Sequence, residues 1–292
     1  MPEPHAMSLN WRDLSPADLE RHFNPRVAVP DAQHLLDDFA ARSADARKHI
    51  PGRYDLRYGP GPKATLDLHA PAGAGSGRPL VVFLHGGYWR ALDKSDHSFV
   101  VPPLLDAGAV VANVNYDLCP AVTLDAMVEA IAAALRFCHA QAAGWGADPQ
   151  NLILLGHSAG AHLAAAMLQR PWPQAELPAG AVRAVAALTG IYEPAVILGL
   201  SVNAEAQISA HTAARHDCLT RPFTLRPRML VAVGGDEPDG WVAQSESFAG
   251  HCLAAALPTR MQLVGGANHF TLLDCALRDG HALRDAVFDL WR

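Results

Sequence analysis

Ser158 sits at the centre of Gly156-His157-Ser158-Ala159-Gly160, a spacing that can present a hydroxyl as a nucleophile. An apolar run, Asn151 to Leu155, precedes it and a helix-forming run, Ala161 to Gln169, follows it. A strand-to-helix turn in that context lifts the serine above the end of a sheet, and the two glycines permit a close backbone approach that a side chain would block. Ala159 opens the helix, so its N–H points at charge developing beside the hydroxyl.

A serine hydroxyl is a poor nucleophile near neutral pH. It needs an imidazole to take its proton and a carboxylate to hold that imidazole in the right tautomer. On an α/β sheet these follow the serine in the order acid, then histidine. Of the 15 histidines, the one directly beyond an expected strand is His269, after Met261 to Val264 and the loop Gly265-Gly266-Ala267-Asn268. His211, His216 and His251 fall in helical or capping segments, and His281 begins the terminal helix. The acid comes from Gly234-Gly235-Asp236-Glu237-Pro238-Asp239, which offers three carboxylates after the strand Met229 to Val233. Hydrolases of this architecture commonly place the acid three residues beyond the strand-ending glycine. Counting from Gly234 selects Glu237, with Asp236 as the alternative. Glutamate suffices because the role is a charged hydrogen bond to the imidazole.

His85-Gly86-Gly87-Tyr88-Trp89 follows the apolar run Leu80 to Leu84 and is the HGG type of loop that supplies a second oxyanion donor. Gly86, Gly87, Tyr88 and Ala159 are therefore the expected oxyanion hole. Tyr88, Trp89 and Tyr192 are candidates for an aromatic substrate pocket, and equally for plain packing. No HExxH, P-loop or GxGxxG motif is present, so the sequence calls for no metal and no cofactor. His157 and His162 flank the serine without an acidic cluster at ligand spacing and read as a packed elbow residue and a helix residue near the pocket.

These residues need a scaffold, and the hydrophobic pattern describes one. Leu80 to Leu84, Ala109 to Val114, Leu152 to Leu155, Val182 to Leu188, Met229 to Val233 and Met261 to Val264 are continuous apolar runs, as in strands buried on both faces. Helical segments alternate with them, the clearest being Leu124 to Gln141, where Met127, Ile131, Leu135 and Cys138 recur at helical spacing. The expected class is α/β, a mostly parallel sheet covered by helices on both faces. Upstream, residues 54–58 and 64–69 alternate around Gly59-Pro60-Gly61-Pro62 and suggest an antiparallel hairpin. Residues 1–50 read as an N-terminal helical arm on the core, with Ser15 as N-cap and Pro16 at the first helical position. Residues 51–292 read as one domain, in which 192–228 breaks the rhythm as a small cap.

The chain has 292 residues, 50% of them hydrophobic and 18% charged, with a net charge of −6 and no basic run. That balance speaks against nucleic acid and anionic membranes and for a small-molecule substrate. Five scattered cysteines, an odd number with no CxxC pair, fit a reducing compartment. The first residues lack the apolar core of a signal peptide and no run is long enough to span a bilayer, so a cytoplasmic setting is expected. A homodimer is compatible with the sequence.

HGGYW at 85–89, Val114-Asn115-Tyr116-Asp117 with Pro120 and Thr123-Leu124-Asp125, and GHSAGAHLAA at 156–165 together resemble the kynurenine formamidase (arylformamidase) family. Leu188-Thr189-Gly190-Ile191-Tyr192-Glu193-Pro194 and the GGDE loop followed by Gln244-Ser245 resemble it too. The resemblance runs from about residue 50 onward. It implies an α/β-hydrolase fold, hydrolysis of N-formyl-L-kynurenine to kynurenine and formate through an acyl-enzyme, no cofactor, and a triad at Ser158, His269 and, by spacing, Glu237. The animal enzymes carry aspartate at that acid position, whereas this chain carries glutamate. A carboxylesterase would use the same groups, and a catalytically silent binding protein of the same fold is the reading from outside enzymology.

Overall fold

A computed structural model describes residues 10–73 and 75–291. The first nine residues, which begin the expected arm and the stretch read as lacking a signal peptide, lie outside the described residues, as do Ala74 and Arg292. The chain opens with three helices, α1 (Pro16–Phe23), α2 (Pro25–Ala28) and α3 (Ala32–His49). Ser15 caps α1 through a bond from the Asp18 N–H, with Pro16 in the first turn, as the sequence suggests.

A hairpin follows, β1 (Arg53–Arg57) and β2 (Thr65–His69), and then β3 (Arg78–Leu84), α4 (Val101–Asp106), β4 (Val110–Val114), α5 (Leu124–Gln141), β5 (Ala147–His157), α6 (Ala159–Gln169) and β6 (Val182–Leu188). Two short helices, α7 (Asn203–Ala206) and α8 (Ala210–Arg215), interrupt the alternation before β7 (Arg228–Gly234), α9 (Asp239–Ala254), β8 (Thr259–Val264), α10 (Thr271–Cys275) and α11 (Ala282–Phe288). The strands form one sheet in the order β1-β2-β4-β3-β5-β6-β7-β8. The β1–β2 and β2–β4 pairs are antiparallel and the remaining pairs parallel, so the expected mostly parallel α/β sheet is borne out.

Each buried strand serves two cores, because successive side chains leave opposite faces. Leu80, Val82 and Leu84 join α5 and α6 on one side, while Val81 and Phe83 meet Phe99, Leu104 and α11 on the other. The arm straddles both layers: Leu19 and Phe23 of α1 belong to the first core, Phe39 of α3 to the second. A buried ion cluster ties it down. Lys94 Nζ donates to Asp67 (2.6 Å) and Asp55 (2.8 Å), and Arg47 of α3 donates to the other oxygen of Asp67 at 2.5 Å. The Asp67 side chain is fully buried and bonds both cations and, at 2.9 Å, the Asp55 N–H.

The chain runs from β3 to β4 on one side and then crosses to β5 on the other, which opens a crevice beyond the carboxyl ends of β3 and β5. The segments after β3, β5, β6, β7 and β8 all emerge at that edge. Among the described residues no helix is long and apolar enough to cross a membrane.

Candidate active site

Ser158 has φ 56° and ψ −122°, the strained geometry of a nucleophile elbow between β5 and α6. Its N–H is held by the Leu188 carbonyl of β6 at 2.9 Å. The flanking glycines are obligatory for steric reasons. A Cβ on Gly160 would stand 2.0 Å from the Leu84 carbonyl oxygen, and one on Gly156 would stand 2.4 Å from that of Gly160. Helix and strand therefore meet backbone to backbone, and the serine has no choice but to project from the apex.

His269 Nε2 lies 3.0 Å from Ser158 Oγ, and its Nδ1 lies 2.8 Å from Glu237 Oε2. An ionised carboxylate only accepts, so the ring proton sits on Nδ1 and Nε2 is free to accept from the serine. Glu237 is itself fixed by the Gly234 N–H, 2.9 Å from Oε1. Asp236 is exposed and faces elsewhere: its N–H donates to the Ala267 carbonyl at 3.0 Å and its carboxylate accepts from the Gly266 N–H at 3.2 Å. It thus braces the loop leading to His269, while Glu237 touches the imidazole.

Two further contacts hold His269, one at its backbone and one at its ring. His157 donates from Nε2 to the His269 carbonyl at 2.8 Å, and the Trp241 ring lies 4.3 Å from that of His269. Burial, with His269 nearby, pushes His157 well below the ordinary imidazole range, so it stays neutral beside the base.

The loop after β3 presses on the serine. A Cβ on Gly86 would lie 3.0 Å from Ser158 Cβ. Gly87, Tyr88 and Trp89 have φ of 115°, 50° and 59°, a left-handed run that is costly for the two aromatic residues and must be held from outside. The Tyr88 hydroxyl donates to the Phe23 carbonyl of the arm, and the Trp89 carbonyl accepts from Cys119 N–H at 2.8 Å. Ala159 is the first residue of α6, so its N–H has no partner within the helix.

Ser158 and His269 open on a pocket lined also by Gly86, Gly87 and Tyr88. Trp89 and Tyr192 do not line it. Trp89 is fully buried against His162, and Tyr192 stacks on Phe248 at 4.0 Å, so both aromatic rings serve the core. Tyr88, as expected, lines the pocket, and Phe39 and Phe270 add to its aromatic surface.

Sequence reasoning missed Thr189. Its hydroxyl lies 2.6 and 2.5 Å from the two Glu237 oxygens and 3.1 Å from His269 Nδ1. The available signal was its place directly after β6, the strand between the ones that carry the serine and the acid. The arm's share of the pocket, Asn24, Arg26 and Phe39, was missed as well. Among the described residues no group of three or more His, Cys, Asp or Glu side chains could hold a metal ion.

A parallel sheet with a strained serine elbow at its carboxyl edge defines the class: the chain is an α/β-hydrolase. A family model described as BD-FAE matches residues 66–170. Within the class the chain is similar over most of its length to kynurenine formamidases. That of Salmo salar is 28% identical over 285 residues, 90% of this chain and 92% of the relative. That of Danio rerio is 27% identical over 290 residues, 94% and 96% of the two chains. A crystal structure of a thioesterase candidate from Silicibacter superposes with a TM-score of 0.80 at 26% identity, covering 93% of this chain and 99% of that one.

Proposed function

We propose that the chain is an arylformamidase that cleaves N-formyl-L-kynurenine to L-kynurenine and formate. The observation that carries this reading is the hydrogen-bonded line Ser158–His269–Glu237 opening on a pocket, in a chain similar along most of its length to kynurenine formamidases. Ser158 Oγ attacks the formyl carbon as His269 Nε2 takes its proton. The oxyanion is held by N–H groups of the Gly86–Tyr88 loop and Ala159. Collapse breaks the C–N bond, and His269 returns the proton to the departing arylamine. Water then attacks the formyl-serine with His269 again as base, releasing formate and restoring the hydroxyl. Glu237 accepts the Nδ1–H hydrogen bond throughout and stabilises the imidazolium.

A carboxylesterase would run the same cycle on an ester. Turnover of N-formyl-L-kynurenine beside p-nitrophenyl acetate separates the two, and hydrolysis of the ester alone overturns the formamidase reading. Ser158→Ala should lower either activity by at least about 10⁴-fold; unchanged turnover rules out the serine mechanism. The reading includes a cytoplasmic setting, supported by five cysteines that are all unpaired, and a homodimer, which light scattering decides.

A further inference from the structure

We propose that the pocket contains a carboxylate subsite, with the Arg26 guanidinium as its principal cation and Arg90 beside it. The inference rests on the formamidase reading for the identity of the substrate, but its geometry is independent of it. Arg26 and Arg90 both line the pocket that holds Ser158 and His269, and among the described residues no aspartate or glutamate lines it. The two cations differ. Arg90 Nη1 is already paired with Glu205 at 2.7 Å, and its buried Nε–H has no hydrogen-bond partner among the described residues. Arg26 is exposed at the pocket and, among the described residues, its side chain has no carboxylate partner.

Arg26 also stands on a fixed support. Its own N–H is taken by the Asn24 side chain at 3.1 Å, and Asn24 Nδ2 donates to Glu20 at 2.8 Å. The neighbouring Phe23 carbonyl accepts from the Tyr88 hydroxyl, which joins this stretch of the arm to the loop pressed on the serine. An arginine whose backbone is anchored beside the pocket can take a planar carboxylate through two parallel N–H bonds of its guanidinium, a match that a lysine cannot reproduce. A substrate with a scissile acyl group at the serine and a carboxylate carried on its aryl leaving group satisfies both parts of the pocket. Formylkynurenine has that form; simple aryl esters and formanilide lack the anion.

The test is a specificity ratio in Arg26→Gln and Arg26→Lys. kcat/KM is measured for N-formyl-L-kynurenine against formanilide, and for 4-acetoxybenzoate against phenyl acetate. Expected is a fall of the anionic-to-neutral ratio by about tenfold or more in Arg26→Gln, expressed in KM, with partial recovery in Arg26→Lys. Raising ionic strength to about 0.5 M should shrink the wild-type preference in the same direction. The formamide pair decides if the enzyme cleaves it, and the ester pair decides otherwise. A ratio that falls in an enzyme active only on esters supports the subsite while removing the formamidase reading. An unchanged ratio in Arg26→Gln overturns the subsite, whichever pair is cleaved.

Discussion

The hydroxyl of Thr189 donates to the Glu237 carboxylate, 2.6 and 2.5 Å from its two oxygens, so the acid that faces His269 is itself aimed by the residue that follows the intervening strand. Thr189 is buried at φ 43° directly after β6, and its N–H bonds to the Ala232 carbonyl of β7 at 2.7 Å. We place it as a positioning residue. A hydrogen bond to a charged group contributes about 1.5–3 kcal/mol, so Thr189→Val should lower kcat about tenfold or more with little change in KM. Thr189→Ser should restore most of it. Equal losses in both variants, or a loss confined to thermal stability, contradict the positioning role.

Glu237→Gln keeps the shape of the acid and removes its charge. It can present an N–H to His269 Nδ1 and so favour the wrong tautomer, for which a loss in kcat of about 10³–10⁴-fold is expected. Asp236→Asn should stay within a few-fold of the parent, because that side chain bonds to the loop at Gly266 and not to the imidazole. Steady-state kinetics on the two variants check this, and the reverse order of damage would exclude Glu237 as the acid.

Lys94→Met leaves the fully buried Asp67 with Arg47 as its remaining cation. Removing one member of a buried ion cluster costs about 3–5 kcal/mol, and the lower end is expected here because Arg47 persists. Urea unfolding monitored by circular dichroism measures the loss. A stability within about 1 kcal/mol of the parent contradicts it.

Acid should destabilise the protein well above the range in which carboxylates titrate. Burial pushes His85 down to about 4, and His97 and His162 down to about 3. In the unfolded chain these imidazoles titrate near about 6.5. Below that pH the unfolded state binds protons that the folded state refuses, so their contribution is full above about 6.5 and is lost as pH falls toward 4 and then 3. The slope approaches about 1.4 kcal/mol per pH unit for each histidine. Unfolding free energies at pH 7, 6 and 5 test the sign; a flat profile would show that these rings are not held neutral.

Much of this arrangement was legible in the sequence, and the exceptions share a cause. Leu80 to Leu84 and Met229 to Val233 announce strands because burial on both faces leaves no polar position, and the glycines at 156 and 160 mark a turn that no side chain could enter. Counting three residues from Gly234 reaches Glu237 because the strand end sets the geometry of the turn that follows. Thr189 was not legible, since its value comes from β6 lying between β5 and β7, a fact of sheet order. Nor was Arg26, a polar residue in a polar arm until the arm folds across the pocket. Trp89 shows the opposite hazard. It sits beside the oxyanion loop in sequence, yet its left-handed backbone and full burial commit the ring to the core.

The pocket takes Asn24, Arg26 and Phe39 from one region of the chain and His269 and Phe270 from another, with nearly the whole sheet between them in sequence. Bringing such distant segments together is the slowest kind of closure, because loop entropy is lost before the contact compensates it. Hydrolytic turnover therefore reports completion. A refolding chain is expected to regain its helical signal before its full activity, because the arm joins the pocket across the longest separation in sequence.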